Sequence, residues 1–272
     1  MADTPPRLVA AQWAALERIR ARTAAVAVAQ WAAAGSDLPL EAVVATVLAG
    51  QRAIVAQTDG GLSLAAGVAT GTELGPLGIE ADRLIGAKAR NGTSLETTYS
   101  RSAKVARQDG FQRGVAHLRQ NICMDTQLAQ RGAANAHAEA DRRVTAWRRQ
   151  TNQVAGGKTC GFCIAASTRV YHRGNLLPLH HFCRCSVVEI YVDSFQGNVL
   201  DRDRLNAVYA RTGHDASRQA LGRIRMDPAD IPPGVDVETV KAIEELAPTI
   251  RMDAELGPYL DGARHDSSFV LA

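Results

Sequence analysis

At 272 residues, with 46% hydrophobic but only 5% aromatic side chains, the chain is long enough for one large domain or two ordinary ones. Its apolar content leans on alanine, which favours closely packed helices over an aromatic-rich β core. Net charge is only +3, so the chain as a whole is no polycation, but its halves differ. Residues 101–150 carry ten Arg/Lys against four Asp/Glu, and residues 197–272 carry nine against thirteen. A basic middle predicts nucleic-acid contact, a solvated arginine-rich helical face, or complementary surfaces within an assembly.

The longest alanine-rich run, "TAAVAVAQWAAAG" from Thr23 to Gly35, falls short of the roughly 20 apolar residues that a membrane helix needs. The opening "MADTPPRL" lacks the basic-then-apolar layout of a secretory signal. Both point to a soluble protein made in a reducing cytosol, with no membrane partner.

Residues 1–153 read as a helical N-terminal domain. Gly35-Ser36-Asp37 separates two early helices, with Pro39 placed for a first turn. Helical spacing predicts a buried face of Trp13, Leu16, Ile19 and Val26 on the first helix. On the second the face is Val43, Val44, Val47, Leu48 and Ile54. The interval "TDGGLSLAAGVATGTELGPLG" matches no phosphate-binding loop, since no Gly-Lys-Ser/Thr closes it, and predicts a short helix between turns. Thr93-Ser94-Leu95-Glu96 matches a capping box that starts the next helix. Phe111, Val115, Leu118 and Ile122 form a helical stripe, and an alanine-rich helix is predicted from about Met124 to Arg149. Cys123 falls between these stretches as a small buried apolar residue, and His117 and His137 read as structural or surface histidines.

The pattern changes at residues 154–196, read as a small Cys/His-rich β module. "VAGGK" is a turn; "TRVYHR" and "CSVVEIY" are strands of a β-hairpin around a Gly-Asn turn. Residues 197–272 form an acidic, turn-rich C-terminal region. It holds one short helix, "VETVKAIEEL", and an extended strand in "RMDAELGPYLDGARHDSSFVLA". The predicted fold class is therefore α+β: a mainly helical N-terminal domain, a Cys/His-pinned β-hairpin module and an irregular tail.

Four of the five cysteines lie in the module. Cys160 and Cys163 form C-x-x-C; Cys183 and Cys185 form C-x-C behind His180 and His181. A C-x-x-C turn brings two sulfurs to one tetrahedral zinc, and a second pair completes the set. C-x-C does not easily place both sulfurs on one metal, so the expected structural zinc site is Cys160, Cys163, Cys183 and either His180 or Cys185. His181 and His172 are weaker candidates. A disulfide clamp across the hairpin and a thiol active site with a histidine base are the competing readings.

The string Cys160-Gly161-Phe162-Cys163 followed by Pro178-Leu179-His180-His181-Phe182-Cys183-Arg184-Cys185 resembles the signature of MuF-like minor head proteins of tailed bacteriophages. That family shows C-x-x-C, a loop with a turn, then P-x-H-x-x-C-x-C. The longer stretch from Trp147 to Cys185 is similar to the actinobacteriophage version, often called a minor capsid protein or capsid maturation protease. "AELGPYL", Ala254–Leu260, is similar to a Gly-Glu-Leu-Gly-Pro element of those proteins, though Asp253-Ala254 stands where relatives more often have His-Gly. The resemblance covers residues 147–191 and this short tail element. It implies a structural role in head morphogenesis, in the virion after assembly in the host cytoplasm. The partners it implies are the portal, the major capsid or scaffold proteins, and packaged DNA through Arg142, Arg143, Arg148 and Arg149. Protease activity is an alternative, but Ser167 lies in no nucleophile-elbow motif and there is no H-E-x-x-H. A zinc-ribbon nucleic-acid-binding module is the other.

Overall fold

The computed structural model describes residues 6–35, 37–72, 75–90, 92–151, 159–172, 185–191, 201–214, 217–223 and 225–226, together with the backbone of 249–253 and 257–261. It is mostly helical with a few short antiparallel strands, an α+β protein. The described residues divide into two units, one up to Arg142 and one from Arg143 onward.

The first unit is built on four long helices, α1 (Pro6–Ala34), α2 (Leu40–Thr70), α3 (Leu95–Asp109) and α4 (Phe111–Ala140). α2 packs on α1, α3 and α4, and α4 also packs on α1 and α3. One core cluster joins Ala27, Trp31, Val43, Val47, Leu95, Tyr99, Val115, Leu118 and Ile122. A second joins Leu16, Ile54, Val55, Ile85, Ala129 and Ala133.

The buried face of α1 is Leu16, Ala27 and Trp31; Trp13 and Ile19 are half-buried and Val26 is 41% exposed. Residues 16, 27 and 31 share a face by helical spacing, whereas Val26 sits about 100° around from Ala27. On α2 the expected face is buried, with Leu48 partly so.

The glycine-rich interval is not a short helix between turns, because α2 runs through it to Thr70. Its glycines are places of close approach. A Cβ on Gly61 would lie 2.5 Å from Gln12 Nε2, and one on Gly50 would lie 2.4 Å from Thr23 Oγ1. The absent side chains let α1 and α2 touch, which outweighs their low helix propensity. By length and composition α2 could cross a membrane. Its buried positions nevertheless include Gln51, Thr58, Asp59 and Ser63, the pattern of a core helix with polar partners.

α3 begins one residue later than the capping box placed it: Ser94 is the cap, and its Oγ accepts from Thr97 N at 3.1 Å. The break before α4 comes at Gly110, whose φ of +94° only glycine adopts readily. α4 then runs unbroken past Cys123 and Met124, so those residues separate no helices. It stops at Ala140 rather than at Arg149, because Asp141 turns extended and the β-branched and aromatic residues of "VTAW" follow.

Polar side chains stitch these helices together. Gln51 donates to the Asp125 carbonyl at 3.1 Å and accepts from Gly86 N at 3.0 Å. Tyr99 donates to the Asp125 carboxylate, and Arg20 bridges Glu17 and Gln130. Asp59, 3% exposed, accepts from Leu77 N, Gly78 N and Ile79 N at 3.0, 2.9 and 3.2 Å.

His117 is tied into α3 and α4. Its Nδ1 lies 2.9 Å from Ser102 Oγ and 3.2 Å from the Asn121 amide nitrogen, which can only donate. Burial, and then the Arg101 guanidinium, holds the imidazole below its ordinary 6.5. A lowered folded-state value means that the contribution is whole above pH 6.5 and is lost as pH falls through the folded value. The helical unit is therefore expected to lose thermal stability more steeply between pH 7 and pH 5 in the native chain than in His117→Gln. Melting curves at matched ionic strength test this, and parallel curves would discard it.

In the second unit, β1 (Ala146–Gln150) is the central strand of a three-stranded antiparallel sheet, between β3 (Val170–His172) and β4 (Ser186–Ile190). Trp147 faces Tyr171 on one side and Glu189 on the other. The two strands expected as a hairpin both exist, but each pairs with β1 rather than with the other, and β1 is the segment expected to be helical. β2 (Thr159–Cys160) pairs with β5 (Arg225–Met226). Between the strands lie α5 (Gly161–Ser167), α6 (Arg202–Thr212) and α7 (Arg218–Arg223). Ile164, Ala165, Leu205, Val208, Tyr209, Leu221 and Met226 form the core there. Asp201 caps α6, accepting from Arg204 N at 3.0 Å. In the tail, β6 (Thr249–Asp253) and β7 (Gly257–Asp261) pair antiparallel, so the expected extended piece is two strands. "VAGGK", the Gly-Asn turn and "VETVKAIEEL" lie outside the described residues.

Candidate functional site

Cys160 ends β2 opposite Arg225 and is also the residue before α5, with an extended backbone (φ −67°, ψ 130°). Cys163 is the third residue of α5. Side chains at a helix cap and at the third helical position reach toward each other, as in a capping box, so this junction can bring two sulfurs to one point. Both are buried, at 5% and 4% exposure. That half of the cluster fits a thiolate metal in donor type and spacing.

Cys185 lies in different surroundings, just before β4. Arg149 Nη1 donates to its Sγ at 3.5 Å, and the same guanidinium stacks 4.9 Å over the Tyr171 ring. Arg169 sits 5.9 Å from that ring. The Tyr171 hydroxyl donates to the Ala166 carbonyl at 2.7 Å. Its pKa is raised, because burial outweighs the Arg149 and Arg169 charges.

Among the described residues, no three His, Cys, Asp or Glu side chains gather as a metal-holding group, so Cys160, Cys163 and Cys185 are not such a set by themselves. Cys123, Cys160, Cys163 and Cys185 are joined by no disulfide among the described residues. His180, His181 and Cys183 lie outside the described residues, as does the side chain of His172. Cys123, in mid-α4, is half-buried, with the Gln127 amide 3.7 Å from its sulfur.

Hydroxyl–imidazole pairs occur in the helical unit. Ser63 Oγ lies 3.1 Å from His137 Nε2, and Asp59 Oδ1 lies 4.0 Å from that same nitrogen. A catalytic relay needs acid and nucleophile on opposite ring nitrogens. His137 is also only 1% exposed, so this is a buried structural contact. Ser167, the protease candidate, is 5% exposed and donates its hydroxyl to the Ile164 carbonyl at 2.7 Å.

The four arginines expected to meet DNA are not equivalent. Arg142 and Arg143 are exposed, Arg148 is half-buried, and Arg149 is 2% exposed. Arg149 points into the sheet's covered face and is unavailable to a surface partner. Arg204 donates to Thr151 Oγ1 at 3.0 Å. Its pKa is lowered, chiefly by burial and also by Arg148, against the pull of Asp201.

Sequence spacing pointed to the cysteines but not to the grouping of Arg149, Arg169 and Tyr171. These come together from β1 and β3, segments some twenty residues apart in the chain. The one local signal was the β-type alternation of "TRVYHR". Compared with protein-family models, with curated proteins and with solved structures, the chain matches none.

Proposed function

We propose that this chain is a MuF-like minor head protein of a tailed bacteriophage, acting structurally with the portal or inner capsid while the head assembles. The observation that carries the reading is the C-x-x-C at the β2–α5 junction, with both thiols buried and suited to one metal. The spacing of the later P-x-H-x-x-C-x-C string supports it. In this reading Cys160 and Cys163 are zinc ligands, and Cys183 with either His180 or Cys185 completes the set. When bound, zinc supplies a fixed cross-link in a module whose described sheet strands are short, at three to five residues each. The cysteine module is Cys/His-pinned and the protein resides in the phage head after assembly in the host cytoplasm. DNA contact falls to the exposed Arg142 and Arg143 rather than to Arg149.

A structural role is favoured over proteolysis because the Ser167 hydroxyl hydrogen is donated to the Ile164 carbonyl of α5, and His117 and His137 pair with serines of the helical unit. Two measurements test the proposal. Mass spectrometry of purified heads is expected to find the chain at low copy number, and a nonsense mutation in its gene is expected to lower the yield of infectious particles. Wild-type heads devoid of the chain would sink the head-protein reading. Elemental analysis of the purified chain is expected to give one zinc, lost in Cys160→Ser and Cys163→Ser. A metal-free chain with an unchanged melting point would remove the zinc site alone.

A further inference from the structure

From Thr23 to Ala34, about three turns, α1 carries no Asp, Glu, Lys or Arg. One side of this stretch is used inside the helical unit. Thr23 meets Gly50, Gln30 accepts from Thr46 at 3.1 Å, and Ala27 and Trp31 lie in the core. The other side is open: Ala25, Ala29, Ala32 and Ala33 are exposed, and Val26 is 41% exposed. Helix surfaces that face water normally carry charged side chains, so an outward face without one calls for a partner.

Spacing and charge say which partner. Arg18, Arg22, Ala25, Ala29 and Ala32 follow one another at four, three, four and three residues, the 3.5-residue repeat along which two helices share a seam. All five are exposed. The seam is basic at one end and uncharged over the rest, and just past its uncharged end the turn into α2 carries the exposed Asp37 and Glu41. None of these four charged residues makes an ion pair with a described residue. Two copies packed parallel would set arginine against arginine. Packed antiparallel about Ala29, the basic end of each copy meets the acidic turn of the other, because Arg22 and that turn lie about 10 Å to either side of Ala29. A surface that completes its own charges is the self-complementary patch of a two-fold dimer. A different protein would have to carry the same two charges in the same order; a second copy already does.

We propose that the exposed face of α1 is a homodimer contact. Two copies pack their α1 helices antiparallel through Ala25, Ala29 and Ala32, with Arg18 and Arg22 of each beside Asp37 and Glu41 of the other. The small side chains let the two backbones approach closely, and the rim charges fix the direction. The contact belongs to the helical unit alone, so failure of the head-protein reading or of the zinc site leaves it standing.

Sedimentation equilibrium of the full chain is the test. At about 100 µM the wild type is expected to sediment at twice the 29.0 kDa of the chain and to dissociate on dilution. Ala29→Glu places two carboxylates at the centre of the contact and is expected to weaken association by about tenfold or more, with the melting curve of the dilute monomer unchanged. Two doubly substituted chains then separate a second copy from any other association. Arg18→Glu with Arg22→Glu makes the patch wholly acidic, and Asp37→Lys with Glu41→Lys makes it wholly basic, so each is expected to stay monomeric alone. Mixed in equal amounts they are expected to pair, since both rims then match. A wild type that stays monomeric at that concentration, a dimer indifferent to Ala29→Glu, or charge variants that associate no better mixed than alone would each overturn the proposal.

Discussion

Trp31→Ala is expected to cost the helical unit about 3–5 kcal/mol, the usual range for deleting a fully buried tryptophan. Trp31 is 0% exposed and belongs to the cluster with Val43, Val47, Leu118 and Tyr99. The Phe111 ring meets it edge-on at 5.2 Å and 67°. Its far edge also lies where α3 and α4 come closest: a Cβ on Gly114 would be 2.8 Å from Trp31 Cη2 and 2.5 Å from Ala106 Cβ. Backbone packed this tightly relaxes poorly, so the cavity term should persist after truncation. Against a total stability of about 5–15 kcal/mol the loss is large. Trp31→Phe should cost much less, about 1–2 kcal/mol, because the indole nitrogen has no hydrogen-bond partner to lose. Chemical denaturation followed by helical circular dichroism measures both. A Trp31→Ala loss below about 1 kcal/mol would mean that α1 does not pack on α3 and α4 through this ring.

What the sequence made legible follows from the range of the interactions involved. Helical periodicity located α1, α2 and the stripe Val115, Leu118 and Ile122, all local signals. It misjudged Val26 and Phe111, at 41% and 38% exposure, because period alone does not say how wide a face its neighbours cover. Gly60 and Gly61 looked like turn formers. Gly61 is in fact a close-contact position, a role visible only once α1 lies against it. β1 was read as helix because alanines and arginines are good helix formers, and its strand partners lie more than twenty and nearly forty residues onward. At the candidate site, C-x-x-C was readable because both sulfurs sit within one turn of chain. Arg149 beside Cys185, and Arg149 over the Tyr171 ring, join residues 36 and 22 positions apart with no motif spacing to announce them.

Asp59→Ala is expected to destabilise the helical unit by about 3–5 kcal/mol, comparably to the loss of Trp31. The carboxylate accepts three successive backbone N–H groups, those of Leu77, Gly78 and Ile79, from inside α2. Alanine would leave the donors to find water or stay unmet at roughly 1–3 kcal/mol for each that remains buried. Ile79 is among the residues packed on the Leu16, Ile54 and Ile85 cluster, so releasing its segment also loosens that core. Asp59→Asn separates the two effects. Its one carbonyl oxygen can keep part of the clamp, while its amide nitrogen would face N–H donors, so an intermediate loss is expected. Hydrogen exchange at residues 77–79 should quicken by about tenfold or more in Asp59→Ala, if local opening becomes easier by at least 1.4 kcal/mol. Unchanged exchange there, even with a lowered melting point, would show that the loop is held by something other than Asp59.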